Sequence, residues 1–427
     1  MRKFRLAAVP VAALLVLAAC QPGGQASGSG GGGDTSKGTI KIGVDLPLSG
    51  GEAPNGQPTL NGVKLAVKEA GGAVAGYAIE IAERDDAVNG VHNPDQGAQN
   101  ATELASDEAV VAIVGPYNSN VGAAMIPVTA EAGLLQCSPA NTNPGLTKPE
   151  FGADDLRGGN DPSYIRMATT DDLQGPAMAE YAFTTKGIQS VFIIDDTETY
   201  GDGIADTFEA HFEELGGTVT GRQGVPNPDG TADYTSILTA AQADNPEGVF
   251  FGGVTTTGAA RVRAQMADVG MGDLPYFGGD GLVDGNGETD GSFVNIAGEA
   301  AANSFASVAA PHDIPDPDAF NNAYQAEYGE SPGPYSAPAY ACTQVVLAAI
   351  EAAAASATDM ASLRSGVRDA VFENTGTEYD TVLGPVSFDE NGDTSQHIMS
   401  FYGVDLAAEG GGNWVFDSQD DFSHLLE

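Results

Sequence analysis

Positive charge is scarce in this chain. Seventeen lysines and arginines stand against 59 aspartates and glutamates, a formal net charge of −42 over 427 residues. A phosphate backbone is gripped by a Lys/Arg face, so this balance excludes non-specific nucleic-acid binding as the chain's role. Cysteine is almost absent: three residues, none in a C-x-x-C spacing, exclude zinc ribbons and thioredoxin-like redox chemistry. Beyond residue 20 no apolar run reaches the ~18–20 residues of a membrane-spanning helix. Enzyme signatures are missing as well. There is no G-x-S-x-G elbow, no P-loop, no H-E-x-x-H and no dinucleotide fingerprint at a strand–helix turn. The five histidines (His92, His211, His312, His397 and His424) are scattered without an i, i+4 pair, and read as surface residues rather than bases or ligands. Asp389, Asn391 and Asp393 alternate like the start of a calcium loop. Thr394 stands where such a loop needs glycine and Ser400 where it needs glutamate, so a solvated turn is the expectation. Asp284, Asn286, Glu288 and Asp290 alternate similarly in a glycine-rich loop, again without a full ligand set. Neither a metal nor a cofactor is expected.

What is present begins with an address. Arg2, Lys3 and Arg5 precede an apolar stretch from Leu6 to Ala19, of signal-peptide length. It closes on Leu17-Ala18-Ala19-Cys20, which resembles a bacterial lipobox. In lipoproteins of that kind the cysteine is acylated and becomes the new N-terminus, and two or more chains anchor stably. An ordinary secretory leader with a chance cysteine is the alternative. The Gly/Ser-rich segment that follows reads as a flexible tether. The excess of acid reads as a solvated surface, suited to salty surroundings or inherited from a lineage's composition.

From Thr39 onward strand-like and helix-like segments alternate. Residues 39–44, 77–82, 110–114 and 134–137 have strand character, with helices expected over 61–70, 95–106 and 121–131. Val110 to Val114 is continuous and β-branched, as a buried parallel strand requires. The pattern restarts at Ser190–Asp195, then Thr218–Val225, Gly248–Gly252 and Pro275–Gly278, with helices over 201–215, 235–243 and 259–269 between them. Strands spaced by helices imply right-handed βαβ crossovers, and hence two doubly wound parallel-sheet lobes of the α/β class. An alanine-rich helix over 337–355 comes after both, followed by an expected hairpin of Val386–Phe388 with Ile398–Val404.

Open α/β sheets bind ligands beyond the carboxyl ends of their strands. The loops there are polar. Gly115-Pro116-Tyr117-Asn118-Ser119 leads into a helix, where a hydroxyl and free N–H groups suit a carboxylate. Ser138-Pro139-Ala140-Asn141-Thr142 offers another hydroxyl and more backbone. In the second lobe come Asp196 to Gly201, including Tyr200, and then Gly278-Gly279-Asp280-Gly281, whose carboxylate suits an ammonium group.

These residues, with Ile42-Gly43-Val44, Leu48-Ser49-Gly50, Asp85-Asp86, Arg166, Asp171, Gln174-Gly175 and Leu383-Gly384-Pro385, resemble the branched-chain amino acid (leucine/isoleucine/valine) substrate-binding proteins of ABC importers. The likeness runs from about Lys41 to Val404. It implies the type I periplasmic-binding fold: two lobes joined by three hinge crossovers, closing on one small amino acid and delivering it to a membrane permease. The implied layout is a lipoprotein signal peptide over 1–19 and a linker over 20–38. The first lobe takes 39–168 and 306–395. The second takes 169–305 and 396–427, including the C-terminal tail. The resemblance gives Ser119, Ala140, Asn141 and Thr142 to the ligand from the first lobe, Tyr200 and Asp280 from the second, and Asp171 near the hinge. It implies a monomer outside the cytoplasm, lipid-anchored through Cys20, and no enzyme. It also puts Cys137 and Cys342 in one lobe, where export favours a disulfide over two buried thiols. Two departures bear on the ligand: the loop Gly51–Pro58 lacks the aromatic of leucine binders, with Asn55 nearest, and Val254 stands where a tyrosine is expected. The side-chain pocket is therefore altered, and leucine itself is in question. A ligand-sensing receptor module for an amide or other small polar solute is the alternative role.

Overall fold

The computed structural model describes residues 35–227 and 232–426. The leader, Cys20 and most of the linker lie outside them. Two sheets organise the chain. The first is built from β1 (Thr39–Leu46), β2 (Ala73–Val74), β3 (Tyr77–Asp85), β6 (Val110–Val114), β7 (Leu135–Ser138) and β8 (Tyr164–Arg166), in the order β2-β3-β1-β6-β7-β8. A small hairpin of β4 (Ala87–Val88) and β5 (Val91–His92) leaves the end of β3. Only β2 runs antiparallel within that sheet. All five residues of β6 are buried, as expected of a strand covered on both faces. Helices α1 (Ala53–Glu69), α2 (Pro94–Ser106) and α3 (Ser119–Glu131) connect these strands. The first starts well before the expected Asn61, because Pro54 fits the first turn, where no amide hydrogen is needed. A short α4 (Ala153–Leu156) precedes β8.

After β8 the chain passes to the second sheet through α5 (Asp171–Glu180). Strands β9 (Ser190–Asp195), β10 (Thr218–Gly224), β11 (Gly248–Gly252), β12 (Tyr276–Gly278) and β13 (Ser304–Val308) are parallel. Helices α6 (Thr199–Glu214), α7 (Thr235–Ala243), α8 (Ala259–Met266) and α9 (Phe293–Ala297) lie between them. The chain then returns to the first lobe as α10 (Pro317–Tyr328), α11 (Ser336–Ala353) and α12 (Met360–Phe372). Of these, α10 and α11 pack on α1, and α12 packs on β6. A disulfide joins Cys137 in β7 to Cys342 in α11.

The expected late hairpin is not formed as read. Gly384–Val386 (β15) pairs with Tyr379–Thr381 (β14), while Ile398–Asp405 (β16) enters the second sheet between β13 and Asn413–Asp421 (β17). The two segments belong to different sheets; between them the chain forms a turn closed by the Phe388–Thr394 bridge and by Ser395 N donating to Ser387 O at 2.9 Å. The turn at Asp389–Asp393 is not simply solvated either. Asp393 is buried and accepts from Arg166 Nε at 2.7 Å.

The three passages between lobes run side by side. Thr169 N donates to Ala309 O at 3.1 Å, and Thr169 Oγ1 donates to Gln396 O at 2.9 Å. Each residue belongs to a different passage, so the connection is narrow and hydrogen-bonded.

Candidate ligand-binding cleft

In both sheets the first strand of the lobe is interior, and the order reverses beside it, between β1 and β6 and between β9 and β11. Ligands bind at such switch points, outside the carboxyl ends of the strands. The two switch points face one another across a cleft. Its floor narrows to a cavity of about 20 Å³, room for about one water. Anything larger than a water enters only when the lobes separate.

From the first lobe, Ser119 opens α3. The preceding Asn118 makes no cap bond and its Oδ1 has no partner; Val121 N–H donates to Asn120 Oδ1 at 2.8 Å, which leaves the amides of Ser119 and Asn120 for another acceptor. Ser119 Oγ accepts from the backbone N–H of Thr142 and of Asn143, each at 3.4 Å, which ties this loop to the one after β7. Ala140 and Thr142 line the cavity with Ser119. Asn141 does not. Its Oδ1 accepts from Tyr164 OH at 2.9 Å and its Nδ2 donates to Tyr117 O at 2.8 Å, so it braces the two loops from behind.

From the second lobe, Tyr200 OH donates to Asp280 Oδ1 at 2.7 Å. Gly279 makes this approach possible, since a Cβ there would sit 2.2 Å from the Tyr200 hydroxyl. Asp280 Oδ2 accepts from Tyr335 OH at 2.7 Å, and Gln174 Nε2 donates to Oδ1 at 3.2 Å. Burial raises the Asp280 carboxyl above the usual aspartate range, and these three donors pull it back. Asp171 lies behind Thr142, bonded through its backbone N–H to Thr142 O at 2.8 Å. It is fully buried, and neither carboxylate oxygen has a partner. Burial, and then the charge of Asp280, push it well above its ordinary value.

Sequence reasoning missed the other end of the cleft. His92 is buried, not on the surface. Its Nδ1 lies 2.7 Å from Glu52 Oε1 in the first lobe and its Nε2 lies 2.7 Å from Glu198 Oε2 in the second. Burial opposes the charged ring, but the two carboxylates outweigh it and hold His92 protonated well above the ordinary histidine range. For Glu52, burial is outweighed by His92, and its carboxyl is held below the usual range. Thr256 also donates to Glu52, and Asn120 Nδ2 donates to Glu198 Oε2 at 2.8 Å. The signal was available: Glu52 and His92 sit in the loops beyond β1 and β3, two strand ends that the reading left unexploited. Asp196, beyond β9, completes this wall, and burial pushes it up to about 7.

A larger cavity of about 580 Å³ lies by the interlobe passages, lined by Thr169, Phe388 and His397 among others. It shares no lining residue with the cleft between the switch points. Among the described residues no group of three or more His, Cys, Asp or Glu is placed to hold a metal ion. The alternating loop at Asp284 is closed by its own bonds, with Asp284 accepting from Phe293 N and Asn286 from the amides of Glu288 and Thr289.

The family model described as periplasmic binding protein matches residues 39–412. The chain belongs to the periplasmic binding protein family. This periplasmic binding protein is 30% identical over 375 residues to a Leu/Ile/Val-binding protein homolog of Brucella abortus, covering 85% of this chain and 90% of that one. Among solved structures it is similar to the branched-chain amino acid transporter substrate-binding protein LivJ of Streptococcus pneumoniae, in complex with isoleucine. The TM-score is 0.71 at 25% identity, over 89% of this chain and 100% of that one. A solute-binding protein of an R. palustris ABC transporter, in complex with 4-hydroxybenzoate, shares the fold with a TM-score of 0.74 at 20% identity, over 90% and 97% of the two chains. As a member of this family the protein binds a solute outside the cytoplasm and is not an enzyme. Among the described residues no helix is long and apolar enough to cross a membrane.

Proposed function

We propose that this protein is the lipid-anchored, monomeric substrate-binding component of an ABC importer, and that it captures a small amino acid between its lobes and hands it to a permease. The observation that carries this reading is the opposition of Ser119, Thr142 and the open N-terminus of α3 on one side to Asp280 on the other. Hydroxyl and N–H donors with a helix dipole suit a carboxylate; a buried carboxylate suits an ammonium. Burying a zwitterion without such partners is prohibitive. The relatives named for leucine, isoleucine and valine supply the amino-acid class.

Capture follows from the geometry. The ligand docks on the first-lobe loops, and closure about the three passages brings Tyr200 and Asp280 over it. Ligand contacts made only in the closed form shift the equilibrium towards it. Cys20, at the start of a Gly/Ser tether, fits a lipid anchor that keeps the clamp at the membrane. A thermal-shift screen of the mature protein against amino acids, amides and polyols tests the ligand class. Stabilisation by amino acids alone supports it, and stabilisation by polyols or amides alone contradicts it.

A further inference from the structure

We infer that the ligand is an amino acid with a second, cationic group on its side chain. This inference rests on the amino-acid reading above and narrows it.

The walls of the cavity are acidic. Asp196, Glu198 and Asp280 line it, and no lysine or arginine does; His92 supplies the cation there. Behind the wall lies Glu52, bonded to His92. One imidazolium between Glu52 and Glu198 leaves a surplus of negative charge around a desolvated space.

The unpartnered atoms point the same way. Asn118 Oδ1 and the hydroxyl of Tyr117 belong to residues that line the cavity, are at least nine-tenths buried and have no hydrogen-bond partner at those atoms. Asn118 Oδ1 is an acceptor, and the Tyr117 hydroxyl can donate or accept. A buried acceptor is satisfied by a donor, so the complementary ligand brings an N–H group to Asn118 as well as the α-ammonium that Asp280 takes.

Three side-chain chemistries can be compared at the end where Asp196, Glu198 and Asn118 meet. An anionic or aromatic-acid group finds no Lys or Arg and meets carboxylates at close range. An aliphatic group, as in leucine, strips water from Glu198, leaves Asn118 Oδ1 unpaired and returns nothing. A cationic group donates to Asn118 Oδ1 and Glu198 and relieves the repulsion between the carboxylates.

The test is calorimetry on the mature protein with lysine, arginine, norleucine, leucine and 4-hydroxybenzoate. Norleucine has the straight carbon chain of lysine without its side-chain ammonium. Lysine or arginine should bind roughly 10- to 100-fold more tightly than norleucine. Glu198→Gln, which also loosens the contact with His92 and so weakens every ligand, should still shrink that ratio, and an unchanged ratio overturns the inference. Norleucine or leucine binding as tightly as lysine or arginine overturns the inference but leaves the amino-acid reading standing. Binding of 4-hydroxybenzoate with no amino acid bound overturns both.

Discussion

Nε2 of His92 lies 2.7 Å from Oε2 of Glu198, a contact that crosses the cleft from the first lobe to the second. Its other ring nitrogen is held by Glu52 in its own lobe. The imidazolium is thus the charged pin of the closed form. Replacing it with alanine leaves Glu52 buried beside its remaining donors, with no opposing charge. His92→Ala should cost about 3–5 kcal/mol in urea denaturation. The same variant should be more open, with a larger radius of gyration by small-angle scattering.

Stability should fall as the pH rises from about 5 to 8. Burial lifts Asp196 and Asp284 to about 7, so the native protein holds protons that the unfolded chain releases from about pH 4 upward. His92 adds to the same trend: its raised value gives stability that is complete below about 6.5 and is lost as the pH climbs through that raised value. Glu52 sets the acid side, because its lowered value gives stability that disappears as the pH falls below its ordinary range. Melting temperature against pH should peak in the mildly acidic range. Asp196→Asn with Asp284→Asn should flatten the slope between pH 5 and 7, whereas a surface Asp→Asn pair should not.

Arg166 is fully buried and ties three parts of the first lobe together. It donates to Asp393 through Nε, to Asn143 O at 2.7 Å through Nη1, and to Thr147 through Nη2. Arg166→Met strands the Asp393 carboxylate and should destabilise by about 3–5 kcal/mol. A double variant with Asp393→Asn should recover part of that loss in a double-mutant cycle.

Cys137 and Cys342 are 205 residues apart. A cross-link closing so long a loop removes much freedom from the unfolded chain. Replacing both with serine should cost about 3–5 kcal/mol, and free-thiol titration of the unfolded native protein should find neither.

Much of this architecture was legible because its strands carry strong local patterns. Val110–Val114 and Gly248–Gly252 are short buried runs flanked by turn residues, and each forms a central strand as read. The βαβ rhythm then determined where strand ends, and so Ser119, Thr142, Tyr200 and Asp280, had to lie. Legibility failed where placement depends on distant partners. His92 looks like any isolated histidine until residues 52 and 198 are brought to it, and Asn141 looks like a ligand contact until Tyr164 and Tyr117 take its side chain. The late hairpin was misread because adjacency in sequence favours pairing, whereas β16 found its partners β13 and β17 in the other lobe.

The central claim is that Asp280 receives the ammonium of an amino acid held by the opposite lobe. Asp280→Asn keeps the shape of the side chain and can still accept from one of the two tyrosine hydroxyls while removing the charge. Calorimetry of this variant beside the native protein, with the tightest amino acid from the screen, tests the claim directly. The account predicts a loss of at least about 100-fold in affinity with an unchanged far-ultraviolet circular dichroism spectrum. Binding within about threefold of the native protein would contradict it.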